Sequence, residues 1–315
     1  MKYFDMHCDT LYELCHQSES LKDNEKLHIS LNKSAHFAHY AQFFAMFCGS
    51  TEVEDDADAD HRLSALLETA KREISDRSDR ICLCRTGDEF VQAQIKALAA
   101  AFLTVEGADL LPNEEALQKA WDAGVRLVTL TWNHRNRYGC SAKIDQSEGL
   151  TNAGLEFVRS CEEKNILVDV SHLSDAGFYD LLRCAKRPFV ASHSNSRTIC
   201  PHFRNLTDEM FREIVGIGGL VGINLNPGFL RVDGGRLGAN IDDVIRHIDF
   251  FLELGGENSI CIGADWDGIS ALPNEMDSIC SIVKIRDSLE SRGYDQRLLD
   301  RIFYDNLAGF VRRWL

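Results

Sequence analysis

The feature that most constrains this chain is a regular alternation of short apolar runs with longer amphipathic stretches along its whole length. Several short runs are almost continuously apolar, Phe102-Leu103-Thr104-Val105 for example, which is typical of parallel strands covered on both faces. The eight predicted strands are residues 3–7, 42–47, 101–105, 126–131, 166–170, 188–193, 219–224 and 259–264.

Amphipathic stretches between these runs predict helices. Residues 113–123 begin with two glutamates and end at Gly124, as a helix start and stop require. The other predicted helices are residues 61–75, 152–164, 174–184, 207–215, 240–254, 277–292 and 296–313. Strands that alternate with helices in this way predict an α/β fold, a single (β/α)8 TIM-type barrel domain over residues 1–315. A doubly wound sheet is disfavoured because no glycine-rich fingerprint follows the first strand.

Polar side chains stand where five of the predicted strands end. In a (β/α)8 barrel the functional site lies at the C-terminal ends of the strands, so these side chains are expected to converge on one mouth. They are His7 and Asp9 after the first strand, Glu106 after the third, His172 after the fifth, His193 after the sixth and Asp265 after the eighth.

Imidazole and carboxylate groups are the usual ligands of zinc and similar divalent ions, so the set predicts a two-metal site. His7 and Asp9 would bind one ion, His172 and His193 the other, and Glu106 would bridge ions roughly 3.5–4 Å apart. A shared water would become a metal-bridging hydroxide, the nucleophile. Calcium is disfavoured because histidine is a poor ligand for a hard ion.

Asp265 would carry the proton of this water or orient it. Each member of the set has an ordinary alternative. The His7–Asp9 pair alone is a weak signal that a hydrogen-bonded pair explains better, and His172 fits a structural role. Glu106 could cap the next helix, and Asp265 could belong to a turn around Gly268.

Two further side chains are candidates for substrate binding. Arg204 follows the sixth strand and could hold a substrate carboxylate bidentately, or instead pair with Asp208 at a helix start. His134 follows the fourth strand and is a candidate substrate contact, with an exposed loop position as the alternative.

The acidic balance of the chain excludes some partners. Asp and Glu outnumber Lys and Arg by 49 to 34, a net charge of −15 that repels nucleic acid and anionic membranes.

No export leader is recognisable, and no apolar run approaches the ~18 residues of a membrane helix. The eleven scattered cysteines are therefore predicted to be reduced and mostly buried thiols, and a cytoplasmic location is predicted.

Together the strand-end motifs resemble the membrane (renal) dipeptidase family of zinc peptidases, in its bacterial branch. The matching stretches are Asp5-Met6-His7-Cys8-Asp9, Thr104-Val105-Glu106-Gly107, Thr129-Leu130-Thr131-Trp132-Asn133, Val168-Asp169-Val170-Ser171-His172, Ala191-Ser192-His193-Ser194-Asn195, Arg204-Asn205-Leu206-Thr207-Asp208 and Ile262-Gly263-Ala264-Asp265-Trp266-Asp267-Gly268. The resemblance implies a barrel with two zinc ions, with Arg204 on the substrate carboxylate and Asp265 as acid/base. It also implies a dipeptide substrate and a homodimer.

One position departs from the family. Animal members have a substrate-contacting histidine directly after Thr-Leu-Thr, where this chain has Trp132. His134, two residues further on, is the candidate replacement.

The leading hypothesis is a zinc-dependent dipeptidase for dipeptides with a free C-terminal carboxylate, L,D-dipeptides possibly included. Manganese or cobalt could also occupy such ligands. The alternatives are another metal-dependent hydrolase on the same barrel, such as a deacylase, lactonase or deaminase, and a catalytically silent peptide-binding member.

Overall fold

Eight parallel strands close into a ring, and one short strand lies outside it. The computed structural model describes residues 1–315. The strands are β1 (Lys2–Cys8), β2 (His39–Phe47), β3 (Ile81–Leu83), β4 (Ala99–Glu106), β5 (Val125–Thr129), β6 (Leu167–Asp169), β7 (Val190–Ala191), β8 (Leu220–Ile223) and β9 (Ile260–Ile262). The ring runs β1, β2, β4, β5, β6, β7, β8, β9 and back to β1, and β3 pairs with the start of β4. The predicted (β/α)8 barrel is confirmed, and each predicted strand corresponds to one strand of the ring.

Helices connect the strands. They are α1 (Thr10–His16), α2 (Leu31–Ser34), α3 (Asp56–Ser75), α4 (Gly87–Ile95), α5 (Glu114–Ala123), α6 (Asn152–Glu163), α7 (Asp175–Cys184), α8 (Asp208–Gly216), α9 (Pro227–Leu230), α10 (Gly234–Leu237), α11 (Ile241–Glu253), α12 (Ile282–Ser291), α13 (Gln296–Asp300) and α14 (Asn306–Trp314). A π-helical turn, Arg301–Asp305, joins α13 to α14. No helix is both long enough and apolar enough to cross a membrane.

Helix ends follow the capping residues in the sequence. Asn113 accepts a hydrogen bond from the backbone N–H of Ala116 at the start of α5, and Gly124 ends that helix with a φ of 108°. Ser174 caps α7 in the same way, by accepting from the N–H of Gly177. The two N-caps fix where loops of the C-terminal rim end, and Gly124 leads into β5 at the opposite rim.

The interior of the barrel is a packed apolar core. The ring strands contribute Phe4, Phe43, Phe102, Leu127, Leu167, Val190, Leu220 and Cys261 to one buried cluster. The rings of Phe43 and Phe102 stack with centroids 4.8 Å apart, and Phe90 and Tyr304 pack beneath them. Because the N-terminal end of the barrel is filled, only the C-terminal end is left for polar groups.

A register shift in β1 aims His7 at that end. The pairing of β1 with β2 is irregular between Asp5 and Cys8, so strict alternation of side chains fails there. Met6 belongs to the interior cluster, whereas Cys8, two residues on, packs in the layer between barrel and helices. Asp5 holds the kinked segment by accepting from the N–H of His7 (2.9 Å) and from the indole N–H of Trp266 (3.1 Å).

Candidate metal centre

Glu106, the last residue of β4, lies between two groups of potential metal ligands. Its Oε2 is 3.5 Å from Nε2 of His7. Its Oε1 is 3.0 Å from Nε2 of His172 and 3.5 Å from Nε2 of His193. The carboxylate therefore presents one oxygen to each group, and it is 3% exposed.

The other predicted ligands complete the two groups. Nε2 of His7 is 3.6 Å from Oδ2 of Asp9 and 3.8 Å from Oδ1 of Asp265. Nε2 of His172 is 3.1 Å from Nε2 of His193. The structure thus brings together the five residues predicted as metal ligands and the predicted acid/base Asp265, all of them buried.

The polar atoms of this cluster fit a metal centre better than a hydrogen-bonded one. Both ring nitrogens of His7 and Oδ1 of Asp9 are buried without a hydrogen-bond partner. Such orphaned groups are costly unless a ligand satisfies them. Imidazole nitrogens with carboxylate oxygens, and no sulfur, are a donor set that suits zinc, manganese or cobalt.

Hydrogen bonds behind two histidines fix which nitrogen faces the cluster. The Ser192 hydroxyl donates to Asp169 (2.6 Å), so it accepts from Nδ1–H of His193 at 2.7 Å. The Nδ1–H of His172 donates to the side-chain oxygen of Asn133 at 3.1 Å. Each Nε2 therefore presents a lone pair to the centre, as a metal ligand must.

Burial and charge favour the ligating protonation state of three of the predicted ligands. Burial lowers the pKa of His172 to about 4 and that of His193 well below its usual value, so both rings are neutral. Burial raises the pKa of Glu106, but the neighbouring His7 and His172 outweigh it and hold that pKa well below its usual range. Glu106 is therefore an anion. For the other two ligands the shift is opposite: burial lowers the pKa of His7, but the charge of Glu106 outweighs it and raises that pKa well above its usual value, and burial raises the pKa of Asp9. Both would therefore lose a proton when an ion binds.

Asp265 lies beside the centre with one oxygen held and the other free. Its Oδ2 accepts a 3.1 Å hydrogen bond from the side-chain amide of Asn224, while Oδ1 faces His7. Burial, together with the charge of Glu106, raises the pKa of Asp265. Asp265 and His172 both have left-handed φ angles, 67° and 71°, and strain of this kind concentrates at functional sites.

Arg204 is a buried cation with no carboxylate partner. Its guanidinium donates to the carbonyl of His193 (3.4 Å), lies over the ring of Phe229, and has no partner at Nε. Burial lowers the pKa of Arg204 to about 10, so it remains charged at neutral pH. Asp208, its alternative partner in the sequence, instead accepts from the hydroxyl of Thr198.

A cavity of about 190 Å³ opens above the cluster. Its floor includes Asp9, Glu106, His172 and Asp265, and its walls include Tyr12, Phe47, Trp132 and Phe229. Neither His134 nor Arg204 is among its lining residues. Nε2 of His134 lies 3.3 Å from Asp109, and the Arg204 guanidinium lies against Phe229, which does line the cavity. The role of His134 as a substrate contact stays a prediction.

The sequence did not indicate a role for several residues that surround the cluster. Asp169, Ser192, Asn133 and Asn224 support ligands or Asp265 but were assigned no role. Asp169 had a signal, since it is a single charge inside an apolar strand. The two asparagines had none, because their contacts depend on loop conformation.

The chain is similar to known metallopeptidases over its whole length. The family model described as membrane dipeptidase, peptidase family M19, matches residues 1–313. An uncharacterised protein of the pqqA 5′ region of Klebsiella pneumoniae is 34% identical over 248 residues, 76% of this chain and 91% of that protein.

Two solved structures have the same fold. A metallo peptidase from Rhodobacter sphaeroides, liganded with a phosphinate mimic of the dipeptide L-Ala-D-Ala, matches with a TM-score of 0.89 and 26% identity over 100% of this chain and 99% of its own. The dipeptidase AC of family M19 matches with a TM-score of 0.92 and 26% identity over the same shares. The chain therefore belongs to the membrane dipeptidase family, peptidase family M19, and is a metallo-dipeptidase.

Proposed function

We propose that this metallo-dipeptidase holds two zinc ions and hydrolyses dipeptides with a free C-terminal carboxylate, L,D-dipeptides among them. The observation that carries the proposal is the position of Glu106, whose two carboxylate oxygens face two separate groups of ligands. One carboxylate can then bridge two ions.

The ligands divide between the two ions. His7 and Asp9 would hold one, His172 and His193 the other, and Glu106 both. Ions bound there would lower the pKa of a water molecule and polarise the scissile carbonyl.

Arg204 supplies the specificity for a free carboxylate. A buried guanidinium without an anionic partner is costly, and a substrate carboxylate that accepts from it bidentately removes that cost. Because Arg204 contacts the carbonyl of the ligand His193, the carboxylate it binds lies close to the metal centre. A short distance between these two points leaves room for a single residue between the carboxylate and the scissile bond, as in the C-terminal residue of a dipeptide.

Asp265 moves the proton. Its Oδ1, the oxygen not held by Asn224, takes a proton from the attacking water and delivers it to the leaving amine nitrogen. A raised pKa suits this exchange, because the carboxyl group must release the proton again within each turnover.

The L,D specificity rests on similarity. The structure from Rhodobacter sphaeroides binds a mimic of a dipeptide with a D-residue at its C-terminal position, which supports the same substrate class here. The homodimer and the cytoplasmic location stay predictions.

A panel of substrates tests the proposal. Zinc-loaded protein is assayed with L,L- and L,D-dipeptides, N-acyl amino acids and lactones, with Glu106→Gln as the inactive control. The highest kcat/KM is expected for a dipeptide. A higher value for a lactone or an N-acyl amino acid would contradict the proposal and favour one of the alternative hydrolases.

A further inference from the structure

A second group of metal-type donors lies on the same rim, outside the catalytic cavity. It comprises Sγ of Cys48, a carboxylate oxygen of Asp109 and a ring nitrogen of His134, all within 4.8 Å of one another. The three residues follow β2, β4 and β5, which are neighbours in the ring. We call this group the rim cluster.

We propose that the rim cluster is an additional metal site, which binds one zinc-like ion through Cys48, Asp109 and His134. One sulfur, one nitrogen and one oxygen donor match zinc or cobalt and exclude calcium and magnesium, which take oxygen ligands. A fourth position would be left for water. Donor atoms around tetrahedral zinc are roughly 3–4 Å apart, so small side-chain rotations close the cluster.

Each polar group of the rim cluster has a hydrogen-bond partner, but the contacts of the thiol and of the imidazole are long. The only hydrogen bond of the Cys48 thiol is a 3.6 Å contact with the carbonyl of Gly49. The distance of 3.3 Å between Nε2 of His134 and Oδ1 of Asp109 exceeds the roughly 2.7–2.9 Å of a charge-assisted hydrogen bond. Cys48 is fully buried and His134 is 7% exposed, so bulk water has little access to these two groups.

Neighbouring residues orient the cluster. The side-chain amide of Asn136 donates to Oδ2 of Asp109 at 3.0 Å, which leaves Oδ1 for a metal. Gly107 has a φ of 88°, and a Cβ there would lie 2.4 Å from Sγ of Cys48, so glycine leaves room for the sulfur. Arg62 donates to the carbonyl of Cys48 (2.9 Å), but Asp58 pairs with its charge.

An ion in the rim cluster would shape the catalytic cavity. Cys48 follows Phe47, and His134 is two residues from Trp132. The rings of Phe47 and Trp132 form part of the cavity wall, and their centroids are 4.9 Å apart. The ion would tie the loop after β2 to the loop after β5. The rim cluster would thus hold the wall against which a substrate side chain packs.

Cobalt substitution tests the site independently of the proposed function. The catalytic centre offers only nitrogen and oxygen donors, so a sulfur-to-cobalt charge-transfer band in the near ultraviolet must come from a cysteine elsewhere. Cobalt-loaded wild-type protein is expected to show this band and one metal equivalent more than Cys48→Ser. Cys184→Ser, which alters a half-buried thiol at the end of α7, is the matched control and should keep both.

His134→Gln leaves the sulfur in place and is expected to lower metal content by one equivalent and to weaken the band, whether or not Cys48→Ser folds. Absence of the band in folded, cobalt-loaded wild-type protein would overturn the proposal. So would a band that survives in Cys48→Ser. Neither result bears on the two-zinc centre, which dipeptidase activity reports separately.

Discussion

At the residue scale, the cost of burying charge is the physical basis of the selectivity that we propose for the site. Arg204 is 5% exposed and pairs with no carboxylate, although an unpaired buried charge destabilises a folded protein. In the proposed function, a substrate carboxylate completes the interactions of this guanidinium. Arg197, in the same loop, is the contrast: it pairs with Asp175 at 2.6 Å.

Replacement of Arg204 by Met should therefore impair substrate binding specifically. Loss of the charged contact is expected to cost roughly 2–5 kcal/mol, about 30-fold or more in kcat/KM for a free dipeptide. Wild-type enzyme should cleave carboxyl-amidated dipeptides poorly, and Arg204→Met should discriminate little between the two forms. Arg197→Met is the control for the loop. Equal wild-type rates on free and amidated dipeptides would show that Arg204 has another role.

Ser192 is the second residue whose role is testable alone. It relays a hydrogen bond from His193 to the buried Asp169. Ser192→Ala is expected to weaken metal affinity roughly 10–100-fold, because the ring of His193 loses its orientation and part of its basicity. Competition with a chelator measures this. Ser194→Ala, whose hydroxyl contacts only Ser171, should change affinity little. An unchanged metal affinity in Ser192→Ala would show that the hydrogen bond from His193 through Ser192 to Asp169 does not support metal binding.

At the element scale, α11 anchors the loop that carries Arg204. His247 of α11 accepts at Nδ1 from the N–H of Ser196 (3.1 Å) and donates from Nε2 to the carbonyl of Leu230 (2.9 Å). This pattern requires a neutral ring. Burial lowers the pKa of His247 to about 4, well below the 6.5 of an exposed histidine.

His247 should make the fold less stable in acid. Between pH 6.5 and about 4 the unfolded chain binds a proton at this position and the native chain does not, so the free energy of unfolding falls as the pH falls. The contribution is at most about 3 kcal/mol. Denaturant unfolding of metal-free wild type and His247→Gln at pH 7 and pH 4.5 measures it. The variant should lose less stability than wild type; equal losses would contradict the assignment.

The elements that the sequence predicted are those whose burial leaves a strong pattern. All eight ring strands were predicted, because strands buried on both faces read as apolar runs. β3, α4 and the short helices α1, α2, α9 and α10 were not predicted. β3 has three residues, α4 buries only Gly87, Phe90 and Ala93, and the short helices have four to seven residues. The register shift in β1 was also missed, since it depends on pairing with β2 rather than on local sequence.

At the scale of the whole molecule, the barrel core supports the rim from below. Phe102 stacks on Phe43 and Phe4 and meets Phe90 edge-on, with centroids 4.8–5.7 Å apart. Tyr304, near the C-terminus, packs against Phe4, near the N-terminus. We propose on this basis that residues 1–315 form one domain.

Phe102→Ala should destabilise the molecule without changing its chemistry. The cavity left in the core is expected to cost roughly 3–5 kcal/mol of unfolding free energy, measured by denaturant titration. Activity per folded molecule should be retained at low temperature, since Phe102 lies away from the cavity lining. Ile95→Ala, at a side chain that is 70% exposed, is the control. A loss below about 1 kcal/mol would mean that the core is not the source of stability.

The position of the catalytic site could be predicted because barrel geometry gathers strand ends. His7, Glu106, His172 and His193 end different strands or follow them within three residues, and closure of the ring brings these strand ends together. The register shift in β1 and the left-handed backbone of His172 then complete the arrangement. The rim cluster could not be predicted. Cys48 and His134 lie in loops and Asp109 in the single 3-10 turn Ala108–Leu110, and only the conformations of these connections set the distances between the three residues.

The central claim is that Glu106 lies between two metal ions. Crystals of zinc-loaded protein, measured at wavelengths on both sides of the zinc absorption edge, test it most directly. We predict two anomalous peaks flanking the Glu106 carboxylate, one beside His7 and Asp9 and the other beside His172 and His193, with both lost in Glu106→Ala. A single peak at this position, or two peaks that persist in Glu106→Ala, would contradict the bridged centre.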